Sequence, residues 1–145
     1  MPNPSDDRLR EILTRSRTIA VVGLSDKLDR DSNEIARYLQ SSGYRVLPVN
    51  PLVPEILGER SYPTVSAIPS SISVDLVDVF RRSDQVEPTM SEAIARRVPT
   101  VWMQLGVENA AARAAGEKAG LTVIENLCIM VVHRRLKIPP RPGSV

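Results

Sequence analysis

The chain has 145 residues, 42 % of them hydrophobic and 25 % charged, with a net charge of +2. That fits one globular domain, and it argues against disorder, a membrane span or the strongly basic balance of a DNA binder. Aromatic residues at 3 % leave no stacking platform for single-stranded nucleic acid, and one cysteine with one histidine, Cys128 and His133, supplies neither a disulfide nor a zinc site of the usual type.

His133 stands in the basic stretch His133-Arg134-Arg135-Leu136-Lys137, which sets aside a Ser-His-Asp triad. What remains is binding, or chemistry carried by a cofactor. The acidic, polar start Met1-Pro2-Asn3-Pro4-Ser5-Asp6-Asp7 is unlike a secretory signal, so a cytoplasmic location is expected.

Ser5 to Arg17 reads as a short N-terminal helix with Leu9, Ile12 and Leu13 on one face. Thr18 to Leu24 is a β-branched apolar run interrupted by Gly23, as expected of a strand buried on both faces of a parallel sheet. A polar loop follows. Asp31 and Glu34 are spaced as a capping box, with Asp31 as the N-cap of a helix that stops at Ser42-Gly43. Arg45 to Val49 is the second strand and Asn50-Pro51 a turn. Strand, helix and strand within about 30 residues make a right-handed βαβ unit.

Glu55 to Pro69 reads as loop, with a short strand around Ser61-Tyr62. Val74 to Phe80 is a strand, Ser83 to Arg97 a helix, Thr100 to Leu105 a strand ending at Gly106, Glu108 to Ala119 an Ala-rich helix, Leu121 to Ile124 the last strand, and Leu127 to Leu136 a terminal helix. The fold class is therefore α/β, a Rossmann-like open parallel sheet with helices on both faces in a single domain. The segments are an N-terminal helix over 1–17, the Rossmann-like domain over 18–137 and a mobile Pro-rich tail over 138–145.

In such sheets a ligand sits beyond the carboxyl ends of the strands, where the strand order reverses. The first strand ends at Gly23-Leu24-Ser25 and feeds a helix N-terminus, whose open N–H groups and dipole suit phosphate. The dinucleotide pattern G-x-G-x-x-G is not met: Ser25 takes the place of the second glycine and there is no third. Asn50 stands where an acid would hold a ribose. Both departures disfavour NAD. Instead Lys27 and Arg30 follow the first strand and Arg81-Arg82-Ser83 the third, two cationic clusters suited to separated phosphate groups. Gln104 is expected to face the ligand and Tyr62 to cover it, while Trp102 and Cys128 are expected in the core. Asp78 is expected to bind the backbone of a neighbouring loop.

Four segments, Val22 to Lys27, Val49-Asn50-Pro51, Asp78 to Ser83 and Val101 to Gly106, together resemble the small CoA-binding domain proteins, which are similar to the N-terminal CoA-binding domain of the succinyl-CoA synthetase alpha subunit. The resemblance spans about residues 10–137 and implies coenzyme A across the strand ends. It implies Gly23, Leu24, Ser25, Arg30 and Ser32 along the phosphates, with Lys27 beside them, and Val49, Asn50 and Pro51 flanking the nucleotide. Phe80, Arg81 and Arg82 would close a third side, and Gln104 and Gly106 a fourth. Family members often carry Arg-Pro-Ser where this chain has Arg30-Asp31-Ser32, so Asp31 is expected to turn away as the cap. They commonly have Asp-Arg-Cys where it has Asn126-Leu127-Cys128. The synthetase's second domain, with its phosphorylated histidine, has no counterpart in His133, so ligase activity is not carried over.

The expected function is thus binding of coenzyme A or an acyl-CoA without catalysis, with no nucleic acid and no membrane as partner. The alternatives are an NAD(P)- or nucleotide-dependent enzyme, and a regulatory or scaffold protein that senses acyl-CoA.

Overall fold

A computed structural model describes residues 2–140. In chain order it runs α1 (Asp6–Arg15), β1 (Thr18–Val22), α2 (Asp31–Ser41), β2 (Arg45–Val49), β3 (Glu55–Ile56), β4 (Glu59–Arg60), β5 (Leu76–Val79), α3 (Val86–Arg96), β6 (Thr100–Met103), α4 (Ala110–Lys118), β7 (Thr122–Ile124) and α5 (Ile129–Arg135). The main sheet has five strands in the order β2-β1-β5-β6-β7, every pairing parallel. The chain steps outward from β1 to β2, returns to the other side of β1, and steps outward again through β6 and β7. The order therefore reverses between β1 and β5.

Because side chains alternate across a strand, these apolar runs feed two cores. Ala20, Val22, Val77, Val79, Val101 and Met103 pack with Val86, Met90 and Ala93 of α3 and Ala112 of α4. Ile19, Val21, Leu76, Trp102 and Ile124 pack with α1, α2 and α5. Trp102 is fully buried, and its Nε1–H donates to the Leu127 carbonyl at 2.9 Å, which agrees with its reading as core. Cys128 is half-buried against the second core.

Several sequence expectations change. Arg30, not Asp31, is the N-cap of α2, and it makes no side-chain cap bond. Asp31 opens the helix itself, where its charge still favours the dipole. The stretch read as loop after β2 holds the β3–β4 hairpin, and Tyr62 is a single parallel bridge to Val49. Tyr62 is buried in the first core and so does not cover a ligand from outside. Residues 83–85 form a separate helical turn ahead of α3. The neighbouring backbone is bound by Asp75, whose Oδ2 accepts from the N–H of Arg17 at 2.8 Å and of Thr18 at 2.9 Å, and not by Asp78. Ile138, placed at the start of the tail, is buried in the second core and donates its N–H to the His133 carbonyl at 3.2 Å. Residues 141–145 of that tail lie outside the described residues.

The N-terminal segment is tied down at the far edge of the sheet. Asn3 Nδ2 donates to the Glu125 carbonyl at 2.8 Å, and Asn3 Oδ1 accepts from the Glu125 N–H at 2.9 Å. Arg113, on α4, donates to the Pro2 carbonyl at 2.7 Å and pairs with Glu125 at 2.8 Å. No helix among the described residues is long and apolar enough to cross a membrane.

Candidate functional site

The reversal between β1 and β5 places Gly23 directly against Phe80. Gly23 has φ +83°, and a Cβ there would lie 2.0 Å from the Phe80 carbonyl oxygen. Only glycine meets both demands, a left-handed backbone and a close approach. The Gly23 N–H donates to the Val49 carbonyl at 3.0 Å, and the Phe80 N–H donates to the Val22 carbonyl at 2.8 Å. The rim is therefore stitched across β2, β1 and β5.

Beyond Gly23 the loop is held from α2. The Ser25 N–H donates to Ser32 Oγ at 3.0 Å, and the Ser25 carbonyl accepts from Asn33 Nδ2 at 2.9 Å. Ser25 Oγ accepts from the Lys27 N–H at 3.1 Å. The first-turn N–H groups of α2, at Asp31 and Ser32, have no partner within the helix, so they face outward with the positive end of the dipole. A cleft of about 570 Å³ opens over this turn, walled by the loop and Phe80, with Lys27 and Arg30 on its lip. Neither cation is in an ion pair among the described residues. Asp29 and Asp31 line the same cleft, so Asp31 is not turned away as the sequence led us to expect.

On the other face of the same rim a cleft of about 240 Å³ lies between Val22, Val49, Thr64, Arg81, Gln85 and Thr89. The structure thus gathers Gly23, Ser25, Lys27, Arg30, Ser32 and Phe80 in the first cleft, and Val49 and Arg81 in the second. The remaining sequence candidates are placed differently. Leu24 is fully buried beneath the loop. Asn50 is a structural latch: its Nδ2 donates to the Leu24 carbonyl at 2.9 Å and its Oδ1 accepts from the Leu52 N–H at 2.8 Å. Pro51 is exposed beside it. Arg82 pairs with Asp84 at 3.1 Å on the open surface. Gln104 is 3 % exposed and spends its amide inside the protein: Nε2 donates to Asp78 Oδ1, and Oε1 accepts from the Ile129 N–H at 3.4 Å. The Gly106 N–H donates to Asn126 Oδ1 at 2.7 Å.

Asn33, Asp29, Thr64 and Gln85 were not singled out from the sequence. The first sits on a helix where a polar residue reads as solvated surface, and Thr64 lies in a segment that reads as featureless loop.

An α/β sheet reversed at its second and third neighbours, with a glycine turn feeding an open helix N-terminus at the reversal, defines a Rossmann-like single-domain protein. Residues 17–134 match the family model of the CoA binding domain. The chain belongs to that family.

The uncharacterized protein YneT of Bacillus subtilis (strain 168) is 42 % identical over 133 residues, covering 92 % of this chain and 97 % of its own. A solved hypothetical protein from Pyrococcus horikoshii OT3 superposes with a TM-score of 0.89 at 39 % identity, covering 92 % of this chain and 93 % of that one. The dinucleotide-forming acetyl-coenzyme A synthetase 1 of Ca. Korarchaeum cryptofilum, solved with phosphate and ADP, matches at a TM-score of 0.69 and 26 % identity over 84 % of this chain and 28 % of that one. This chain therefore corresponds to a fraction of that enzyme.

Proposed function

We propose that the protein binds coenzyme A or an acyl-CoA at the carboxyl rim of β1 and β5 and carries out no chemistry of its own there. The observation that carries this reading is the pinned Gly23–Ser25 turn beneath the open first turn of α2, with Lys27 and Arg30 above it and in no ion pair among the described residues, in a chain of the CoA binding domain family. Backbone N–H groups and two flexible cations suit a pyrophosphate, which accepts from both. The cleft on the opposite face of the rim offers apolar walls at Val22 and Val49 and a cation at Arg81 for the remainder of a long ligand. Coenzyme A combines separated phosphates with an extended arm, which matches such a divided rim.

The deciding experiment is a thermal-shift comparison of CoA with NAD and NADP. At about 100 times its dissociation constant a ligand adds about 2.7 kcal/mol, a rise on the order of 5–10 °C for a domain of this size. A shift with CoA and none with NAD(P) is expected; stabilisation by NAD(P) alone overturns the reading.

The two cationic clusters are expected to contribute unequally. Removing both Lys27 and Arg30 as alanines should weaken CoA about 10- to 30-fold at low salt and less at high salt, because exposed charges are screened. Arg82→Ala should change affinity less than about twofold, since its guanidinium is already engaged by Asp84 in open solvent. Isothermal titration at two salt concentrations checks both. A larger loss from Arg82→Ala than from the double variant would move the phosphates to the loop after β5.

A further inference from the structure

Arg37 lies on α2 one turn beyond Asn33, outside the lining of the cleft, and it carries no ion pair among the described residues. Its guanidinium is committed instead to two acceptors. Nε donates to Asn33 Oδ1 at 2.8 Å, and Nη2 donates to the Leu28 carbonyl at 3.1 Å. Asn33 is 1 % exposed and passes the constraint on, donating through Nδ2 to the Ser25 carbonyl at 2.9 Å. With its oxygen facing a guanidinium and its nitrogen facing a carbonyl, that amide has one satisfied orientation. Arg37 therefore fixes the loop on both sides of Lys27, at residue 25 through Asn33 and at residue 28 directly.

We propose that Arg37 is a positioning residue for the anion-binding turn: it holds the 25–28 segment, and with it Lys27, in the ligand-ready conformation without touching the ligand. The proposal rests on the CoA reading for its ligand but not for its geometry. A planar fork can serve both acceptors at once, whereas an ammonium on a flexible stem cannot hold the same two directions. Losing the two bonds leaves the nearly buried Asn33 oxygen without its donor and frees the Leu28 carbonyl.

The test uses the full chain with Arg37→Ala and Arg37→Lys, read by CoA titration and by amide hydrogen exchange in the absence of ligand. Arg37→Ala is expected to weaken CoA about tenfold and to speed exchange of the bonded Ser25 and Lys27 amides within 25–28 about tenfold, with β1 and β5 unchanged. Arg37→Lys keeps the charge, and its affinity should stay near that of the alanine variant. Full recovery with lysine would mean that Arg37 acts as a distant charge, and would overturn the proposal. So would unchanged exchange at 25–28 in both variants. If the alanine variant does not fold, the lysine variant decides on the same two readouts. If the unaltered protein binds no CoA, the functional reading fails, and the exchange pattern alone decides whether Arg37 positions the turn.

Discussion

Gly23→Ala is expected to abolish CoA binding and to destabilise the protein by about 2–5 kcal/mol, from roughly 1–2 for a left-handed alanine and about 1–3 for overpacking. The methyl group would sit 2.0 Å from the Phe80 carbonyl oxygen, at a backbone φ of +83°. Relief requires β1 and β5 to part at their carboxyl ends. That breaks the bonds from the Phe80 N–H to Val22 and from the Gly23 N–H to Val49 on which the rim is built. Urea unfolding followed by circular dichroism should show the midpoint fall by more than about 1 M, and titration calorimetry should show no CoA heat. An unchanged midpoint would mean that the two strand ends are not in the contact described.

The second large effect concerns pH. Asp78 is fully buried in β5, with Oδ1 accepting from Gln104 and Oδ2 without a partner among the described residues. Burial pushes its carboxyl up to about 8 from 3.8, and the Gln104 bond pulls weakly the other way. Between those two values the folded protein keeps a proton that the unfolded chain releases. The Asp78 contribution to stability is therefore fully present below pH 3.8 and is lost as pH rises towards 8, at up to about 1.4 kcal/mol per pH unit.

His133 acts in the opposite sense. Burial lowers its pKa below 6.5, so its contribution is present above 6.5 and is lost as pH falls through the lower folded value. Between pH 6.5 and 8 the Asp78 effect is thus unopposed by His133. Denaturant unfolding across that window should show the stability of the unaltered protein declining with pH. In Asp78→Asn, which keeps the shape and carries no proton to lose, the decline should flatten. Parallel profiles for the two proteins would show that Asp78 is ionised throughout.

The sequence was most legible where the physics is local. The runs at 18–22, 46–49 and 100–103 read as strands because they are short and almost wholly apolar on both faces, as a covered parallel sheet requires. Gly23 was legible as a backbone pivot at the head of β1, because a glycine between a buried strand and a helix start has few other uses. Non-local facts were not legible. Gln104 and Ser25 both look like polar residues at strand ends, yet Gln104 is sealed inside because Asp78, on the adjacent strand, takes its amide. Asp75 precedes β5 and Asp78 lies within it, and which one meets open backbone N–H groups depends on β1 lying alongside. The capping pattern at 31–34 misplaced the helix start by one residue: the cap is Arg30, whose side chain makes no cap bond, so the boundary carries no side-chain signal. Two-residue strands such as β3 and β4 are too short to show any periodicity.

The fastening of Pro2 and Asn3 to Glu125 and Arg113 has a practical corollary. Glu125 follows β7 at its carboxyl end, so Pro2 and Asn3 lie on the same side of the sheet as the Gly23 turn. β7 is three strand spacings from β1, about 14 Å across the rim. A fluorophore coupled at position 2 would sit within quenching or energy-transfer range of a labelled occupant, whereas a bulky affinity handle attached there could shade the entrance.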